Sequence, residues 1–463
     1  MNHHPPTDPP RSPDFIPDHY LPRSGNSGYA VLHYDLDLTC TLGSNRLDGS
    51  AWITAVATVD LDGLSLDLFA LGASRCLLNG SKVRRFTQTR DKLVLHFSAP
   101  VRAGEKFSLE IHYAGIPQLR SGPGGDVGWE ELSDGVLLVG QPNGAACWFP
   151  CNDHPSQKAT YRFVVSTDSG YRPVCNGRLT GHHRGLRRDQ WIYEVIEPMA
   201  SYLATLQIGR YELHPLTVAQ PACGQPADSR TPVPQLVAVA SGRLARARSA
   251  LSDQPRMMQA FIKAFGPYPF EDYTVVVTED NLEIPLEAHG ISILGKNHLD
   301  RRWRGQRMIA HELAHQWFGN SLTIGRWGDI WLHEGFASYA EWIWSEASGS
   351  HSAHHRAKKA WKRLKASDQD IAIGDPGPEE MFDDRVYVRG ALALHALRLV
   401  AGDRDFFAML KSWTVAHRHE NVTGAQFTAH VQDRLELHMP AEDFLRPWLF
   451  ECALPALPPN TMH

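Results

Sequence analysis

Two histidines four positions apart, His311 and His315, flank Glu312 in the segment Met308-Ile309-Ala310-His311-Glu312-Leu313-Ala314-His315-Gln316-Trp317-Phe318-Gly319. On a helix they are one turn apart, so both imidazoles project from one face. They can then meet a single ion at the roughly 2.0–2.1 Å that zinc requires. Glu312 is placed to take a proton from a metal-bound water without itself ligating the metal. With 18 residues between it and His315, Glu334 follows in Trp331-Leu332-His333-Glu334-Gly335-Phe336-Ala337-Ser338-Tyr339-Ala340-Glu341. Two imidazoles and one carboxylate leave a tetrahedral position open, which separates a catalytic zinc site from a closed structural one. The expected cofactor is therefore one zinc ion. Glu341, seven residues beyond Glu334 and on the same helical face, either orients a ligand imidazole from behind or is an exposed helix charge.

These side chains need helices beneath them, and the second half of the chain supplies the spacing. Residues 255–265, 304–318, 331–348, 352–365, 388–401 and 425–437 carry helical periodicity, with Gly319, Gly349 and Gly402 as stops. A short strand is expected near Tyr273–Thr278. The first half reads differently. Tyr34, Leu36 and Leu38 alternate with polar residues, as do Leu64, Leu66 and Leu68, then Leu93, Leu95 and Phe97, then Phe107, Leu109, Ile111 and Tyr113. Such period-two patterns predict strands with one wet face, and further strands are expected at 161–166 and 202–207. The fold class is α+β: an N-terminal antiparallel β sandwich or saddle, then a mainly helical domain. Five prolines from Pro215 to Pro234, both included, mark the boundary. The expected division is a Pro-rich disordered tail at 1–16, a β domain at 17–225 and a catalytic domain at 226–463.

Composition narrows the classes. The 463 residues carry 46 Lys+Arg against 51 Asp+Glu, a net charge of −5, which does not suit a nucleic-acid binder or a protein of acidic membranes. No apolar run is long enough to span a bilayer. Seven scattered cysteines do not form a disulfide pattern, so a reducing cytoplasm is expected, and the sequons at Asn79 and Asn421 are then accidental. Cys147 and Cys151 have no second pair to complete a metal site and read as buried thiols. His351, His354 and His355 read as a solvated helix face, the cluster of His182, His183, Arg184, Arg187 and Arg188 as a hairpin loop, and the tryptophans from Trp303 to Trp344 as core or cleft wall.

The spacing of the two metal helices, with the block that follows Glu334, resembles the gluzincin aminopeptidases of the aminopeptidase N type. The resemblance runs from about residue 28 to the end of the chain. It includes Gln141-Pro142-Asn143-Gly144-Ala145, Trp148-Phe149-Pro150-Cys151-Asn152-Asp153-His154-Pro155, Pro198-Met199-Ala200-Ser201-Tyr202-Leu203, Leu286-Glu287-Ala288-His289-Gly290 and Tyr387-Val388-Arg389-Gly390-Ala391. It implies a thermolysin-like catalytic domain and removal of N-terminal residues from peptides with a free α-amino group, with no nucleic-acid or membrane partner. It gives Tyr387 the stabilisation of the oxyanion, and Glu287, with Gln141, the binding of the substrate amine.

Three departures stand out. The family's GxMEN motif is here Ile284-Pro285-Leu286-Glu287-Ala288, keeping only the glutamate, with Glu283 as the rival anchor. His333 stands where the family has Asn, in a place to alter pH behaviour, and Arg389 where it has Lys. A further helical domain common in similar sequences is expected to be absent. A gluzincin endopeptidase, a non-peptide hydrolase on the same zinc site, or a catalytically silent binding module are the competing readings.

Overall fold

A computed structural model of the chain describes residues 17–216 and 233–459. The expected tail and the expected boundary at 225/226 lie outside the described residues. The described chain gathers into two compact units that divide between Leu206 and Gln207, with residues 122–125 and 132–135 counted in the second.

The largest sheet of the first unit has eight strands. Their spatial order is Arg178–Arg184, Arg188–Ala200, Lys158–Asp168, Tyr29–Thr41, Arg46–Ala57, Lys106–Gly115, Gly72–Leu78 and Ser81–Lys82. Alternation does what it should: Tyr34, Leu36, Leu38 and Cys40 are buried, as are Leu47, Ala51, Ile53 and Ala55 on the next strand. The antiparallel expectation needs one correction, because Tyr29–Thr41 pairs in parallel with Lys158–Asp168, Leu36 opposite Phe163. A parallel neighbour requires a long connection, and the whole segment 42–157 runs between these two strands. Residues 202–207 are a second correction. They form a 3-10 turn at Ser201–Leu203 and then the strand Leu206–Gly209. Asn176 takes over the backbone there, accepting from Thr205 N at 2.6 Å and donating to Leu203 O at 2.9 Å.

The core of this unit is aromatic, with Tyr34 stacked on Tyr161 and Tyr161 on Phe163 at centroid distances of 5.0 and 5.6 Å. A buried charge sits among these residues. Asp67 pairs with Lys92 at 2.6 Å and accepts from Gly25 N and Asp153 N. Cys147 and Cys151 are buried free thiols, and the basic cluster occupies the hairpin between Arg178–Arg184 and Arg188–Ala200.

The second unit contains a five-stranded sheet in the order Glu212–Pro215, Gln235–Val239, Tyr273–Thr278, Ile291–Gly295 and Leu286–Ala288. Its three middle strands are parallel and its two edges antiparallel. The described residues add nine α-helices: α1 Leu244–Ala250, α2 Gln254–Phe265, α3 Trp303–Ala314, α4 Trp331–Ala347, α5 Ala353–Lys365, α6 Asp384–Ala401, α7 Asp403–Ala416, α8 Gly424–Arg434 and α9 Ala441–Leu449. Three of these, α1, α7 and α9, carry no signal in the periodicity reading. α1 spans only two turns, and α9 holds Pro447 inside a nine-residue helix. α6 begins four residues earlier than expected because Asp383 caps it, accepting from Arg385 N. No helix among the described residues is long and apolar enough to cross a membrane.

Candidate active site

α3 buries Ile309, Ala310, Leu313 and Ala314 along one stripe. α4 is buried at every position from Trp331 to Ser345, which makes it a core helix. α3 stops at Ala314 rather than at Phe318. His315 remains helical as its C-cap, at φ −56 and ψ −23, so the one-turn relation to His311 survives. Beyond it the turn widens to bonds five residues apart, Asn320 N to His315 O and Ser321 N to Gln316 O, and Gly319 takes a φ of +126.

Both metal-facing nitrogens converge on one oxygen. His311 Nε2 lies 3.4 Å and His315 Nε2 3.5 Å from Glu334 Oε2. The other ring nitrogens are held from behind: His311 Nδ1 lies 3.0 Å from Glu341 Oε1, and His315 Nδ1 lies 3.0 Å from the Phe318 carbonyl. Outer contacts of this kind fix the tautomer and aim of ligating imidazoles. Among the described residues this is the one group of His, Cys, Asp or Glu able to share an ion, its three donor atoms lying within 4.8 Å of one another.

The electrostatics call for a cation. Burial alone would strip the proton from both imidazoles, yet the hydrogen bonds from His311 to Glu334 and Glu341 hold its pKa well above the usual histidine value. Glu287 and Glu334 likewise hold His315 at about 9. Glu334, although buried, is kept below the usual carboxylate range by the two histidines. An ion in this place replaces those protons. Two imidazole nitrogens and one carboxylate oxygen, buried and oriented from outside, are a donor set that zinc accepts.

Glu312 is 6% exposed, and its Oε2 has no hydrogen-bond partner among the described residues; burial pushes the carboxyl up to about 7 against the pull of His311. Tyr387 lies nearly parallel to the His311 ring, with centroids 5.9 Å apart and 18° between planes. Burial, reinforced by the charges of Glu334, Glu287 and Glu312, holds its phenol well above 10, so it is a donor. A backbone contact sets this arrangement. A Cβ on Gly390 would stand 2.7 Å from Gly335 Cα, so α4 and α6 touch one residue beyond Glu334 and three beyond Tyr387.

Glu287 sits on the edge strand opposite Ser292. Burial raises its carboxyl, His315 opposes the rise and Glu334 adds to it, so Glu287 faces the ligand group. Glu283 is exposed. Two residues missed in the sequence hold this strand: Gln316 accepts from Gly290 N at 2.9 Å, and Gln316 and Asn320 both donate to Ala288 O, at 3.2 and 2.8 Å. Their signal was adjacency to His315, on the turn that leaves the metal helix. His333 is buried, and its Nε2 accepts from Ile324 N at 3.0 Å. Gln141 belongs to the first unit, and its buried amide nitrogen has no partner among the described residues. His354 pairs with His395 at 3.1 Å, and the tryptophans from Trp317 to Trp344 are buried, while Trp303 carries Arg356 on its face.

With this geometry established, likeness to known proteins is informative. Residues 249–448 match the peptidase family M1 domain, and residues 30–203 match the peptidase M1 N-terminal domain. An M1 zinc metallopeptidase from Deinococcus radiodurans is 31% identical, with a TM-score of 0.86 over 96% of this chain and 99% of that one. This chain belongs to peptidase family M1. Another structure of similar likeness, at 31% identity and a TM-score of 0.86, is a mutant of the Deinococcus enzyme bound to a Tyr-Ser-Ala substrate; it covers 96% of this chain and 99% of that one. More distant relatives include "Probable aminopeptidase 2" of Sulfurisphaera tokodaii, 24% identical over 67% of this chain and 40% of its own length. Human "Endoplasmic reticulum aminopeptidase 1" is 24% identical over 84% of this chain and 44% of its own. The M1 chain spans less than half the length of these two relatives.

Proposed function

We propose that this M1 peptidase is a zinc aminopeptidase that removes N-terminal residues from peptides with a free α-amino group. His311, His315 and Glu334 hold the ion. When bound, zinc supplies Lewis acidity, which polarises the scissile carbonyl and makes water nucleophilic near neutral pH. Glu312 takes the proton of the attacking water and returns it to the leaving amine. Tyr387 donates a hydrogen bond to the carbonyl oxygen as it gains charge. Glu341 orients His311. The substrate's α-amine, cationic at neutral pH, pairs with Glu287.

The observation that carries this reading is Glu287: an acid with no salt bridge of its own among the described residues, on a strand edge facing the metal ligands. We place the protein in the cytoplasm, a reading supported by six described cysteines that are all free thiols.

A panel of aminoacyl anilides with free and with acetylated α-amines, run before and after chelation and zinc return, tests the whole proposal. Chelator-sensitive cleavage confined to the free-amine members is expected. Cleavage of both sets would make the protein an endopeptidase or a broader hydrolase, and cleavage of neither a binding module.

A further inference from the structure

We propose that Arg389 is a positioning residue for Tyr387, holding α6 against the metal helices by wiring it to the C-terminal end of α9. This rests on the aminopeptidase reading above. Arg389 is 4% exposed and has no carboxylate partner among the described residues. Its guanidinium instead collects six backbone carbonyls. Nε donates to Trp448 O at 2.7 Å. Nη1 donates to Cys452 O at 2.7 Å and Ile371 O at 3.4 Å. Nη2 donates to Pro447 O at 2.7 Å, to Ala453 O at 3.1 Å and to Glu451 O. Pro447 and Trp448 belong to the last turn of α9, whose carbonyls have no partner inside the helix and carry the negative end of its dipole. The buried cation and these carbonyls thus satisfy each other, two of the bonds fully buried and four partly so.

The consequence for Tyr387 is geometric. Positions 387 and 389 are about 200° apart on the α6 surface, so the tyrosine looks toward His311 while the arginine reaches the opposite side. Gly390 presses α6 on Gly335, and Arg389 prevents it from sliding or turning there. A flexible lysine has three N–H groups and no planar fork, against the guanidinium's five in a fixed fork shared among the six carbonyls.

The test is Arg389→Lys and Arg389→Met, each alone and combined with Tyr387→Phe. Folding and zinc content are checked, kcat and KM measured on a free-amine anilide, and amide hydrogen exchange followed across residues 386–391. Arg389→Lys is expected to fold, to lose kcat by roughly 10-fold or more with KM within about twofold, and to exchange faster in that stretch. In the Tyr387→Phe background it should cost nothing further, since no phenol is left to misplace. An unchanged kcat in folded Arg389→Lys, or an equal loss in both backgrounds, overturns the proposal; the lysine variant decides even if Arg389→Met does not fold. A wild-type protein inactive on every anilide would remove the aminopeptidase reading instead, while unchanged exchange in the variants would remove the clamp by itself.

Discussion

Glu341 Oε1 stands 3.0 Å from His311 Nδ1, on the side of the imidazole away from its metal-facing nitrogen, and Arg307 Nη1 stands 3.5 Å from the other Glu341 oxygen. A carboxylate in this place raises the basicity of the ligand and fixes its ring. Glu341→Ala should therefore weaken zinc binding by roughly 10- to 100-fold, and Glu341→Gln, which keeps an acceptor, by less. Competition with a chromophoric chelator measures it. Equal affinity in all three proteins would reduce Glu341 to a helix charge.

Tyr387→Phe removes a donor that acts only where charge develops. We expect kcat to fall by roughly 100- to 1,000-fold with KM little altered. A change confined to KM would mean that the phenol binds ground-state substrate instead.

Glu287→Gln keeps the shape of the side chain and removes its charge. Loss of one partner of a buried charge pair should lower kcat/KM on free-amine substrates by roughly two orders of magnitude and erase discrimination against acetylated ones. Preserved discrimination would assign the amine to another group.

Asp153 gives a pH signature to the first unit. Burial, and then the charge of Asp67, raises its carboxyl to about 7, although Ser201 Oγ donates to it at 2.7 Å. The unfolded chain releases this proton near 3.9, whereas the folded chain keeps it to about 7, so the folded state binds more protons between the two values. Its stabilising contribution is complete below about 4 and is lost as pH rises to about 7, at a slope approaching 1.4 kcal/mol per pH unit. Asp153→Asn has no such slope. Urea unfolding of both proteins from pH 4.5 to 7.5 should show their difference moving in favour of the variant; a difference independent of pH would show that folded Asp153 is ionised throughout.

Some of this molecule is readable along the chain because the relevant distances are local. One turn of helix places His311 with His315 and Glu312 beside them, and two turns place Glu341 over Glu334. These relations depend on helical periodicity alone. The alternation of Tyr34, Leu36 and Leu38 and of Phe107, Leu109, Ile111 and Tyr113 marks strands of the first unit for the same reason. What the sequence could not specify is which way each element is pressed on its neighbours. The convergence of both imidazoles on Glu334, the hold of Gln316 and Asn320 on the edge strand, the turning of His333 to Ile324 and the six carbonyls around Arg389 all join residues far apart in the chain or on unrelated faces. α6 shows why: only when Gly390 meets Gly335 does Tyr387 come alongside His311, and that meeting requires packing of two helices that no local periodicity encodes.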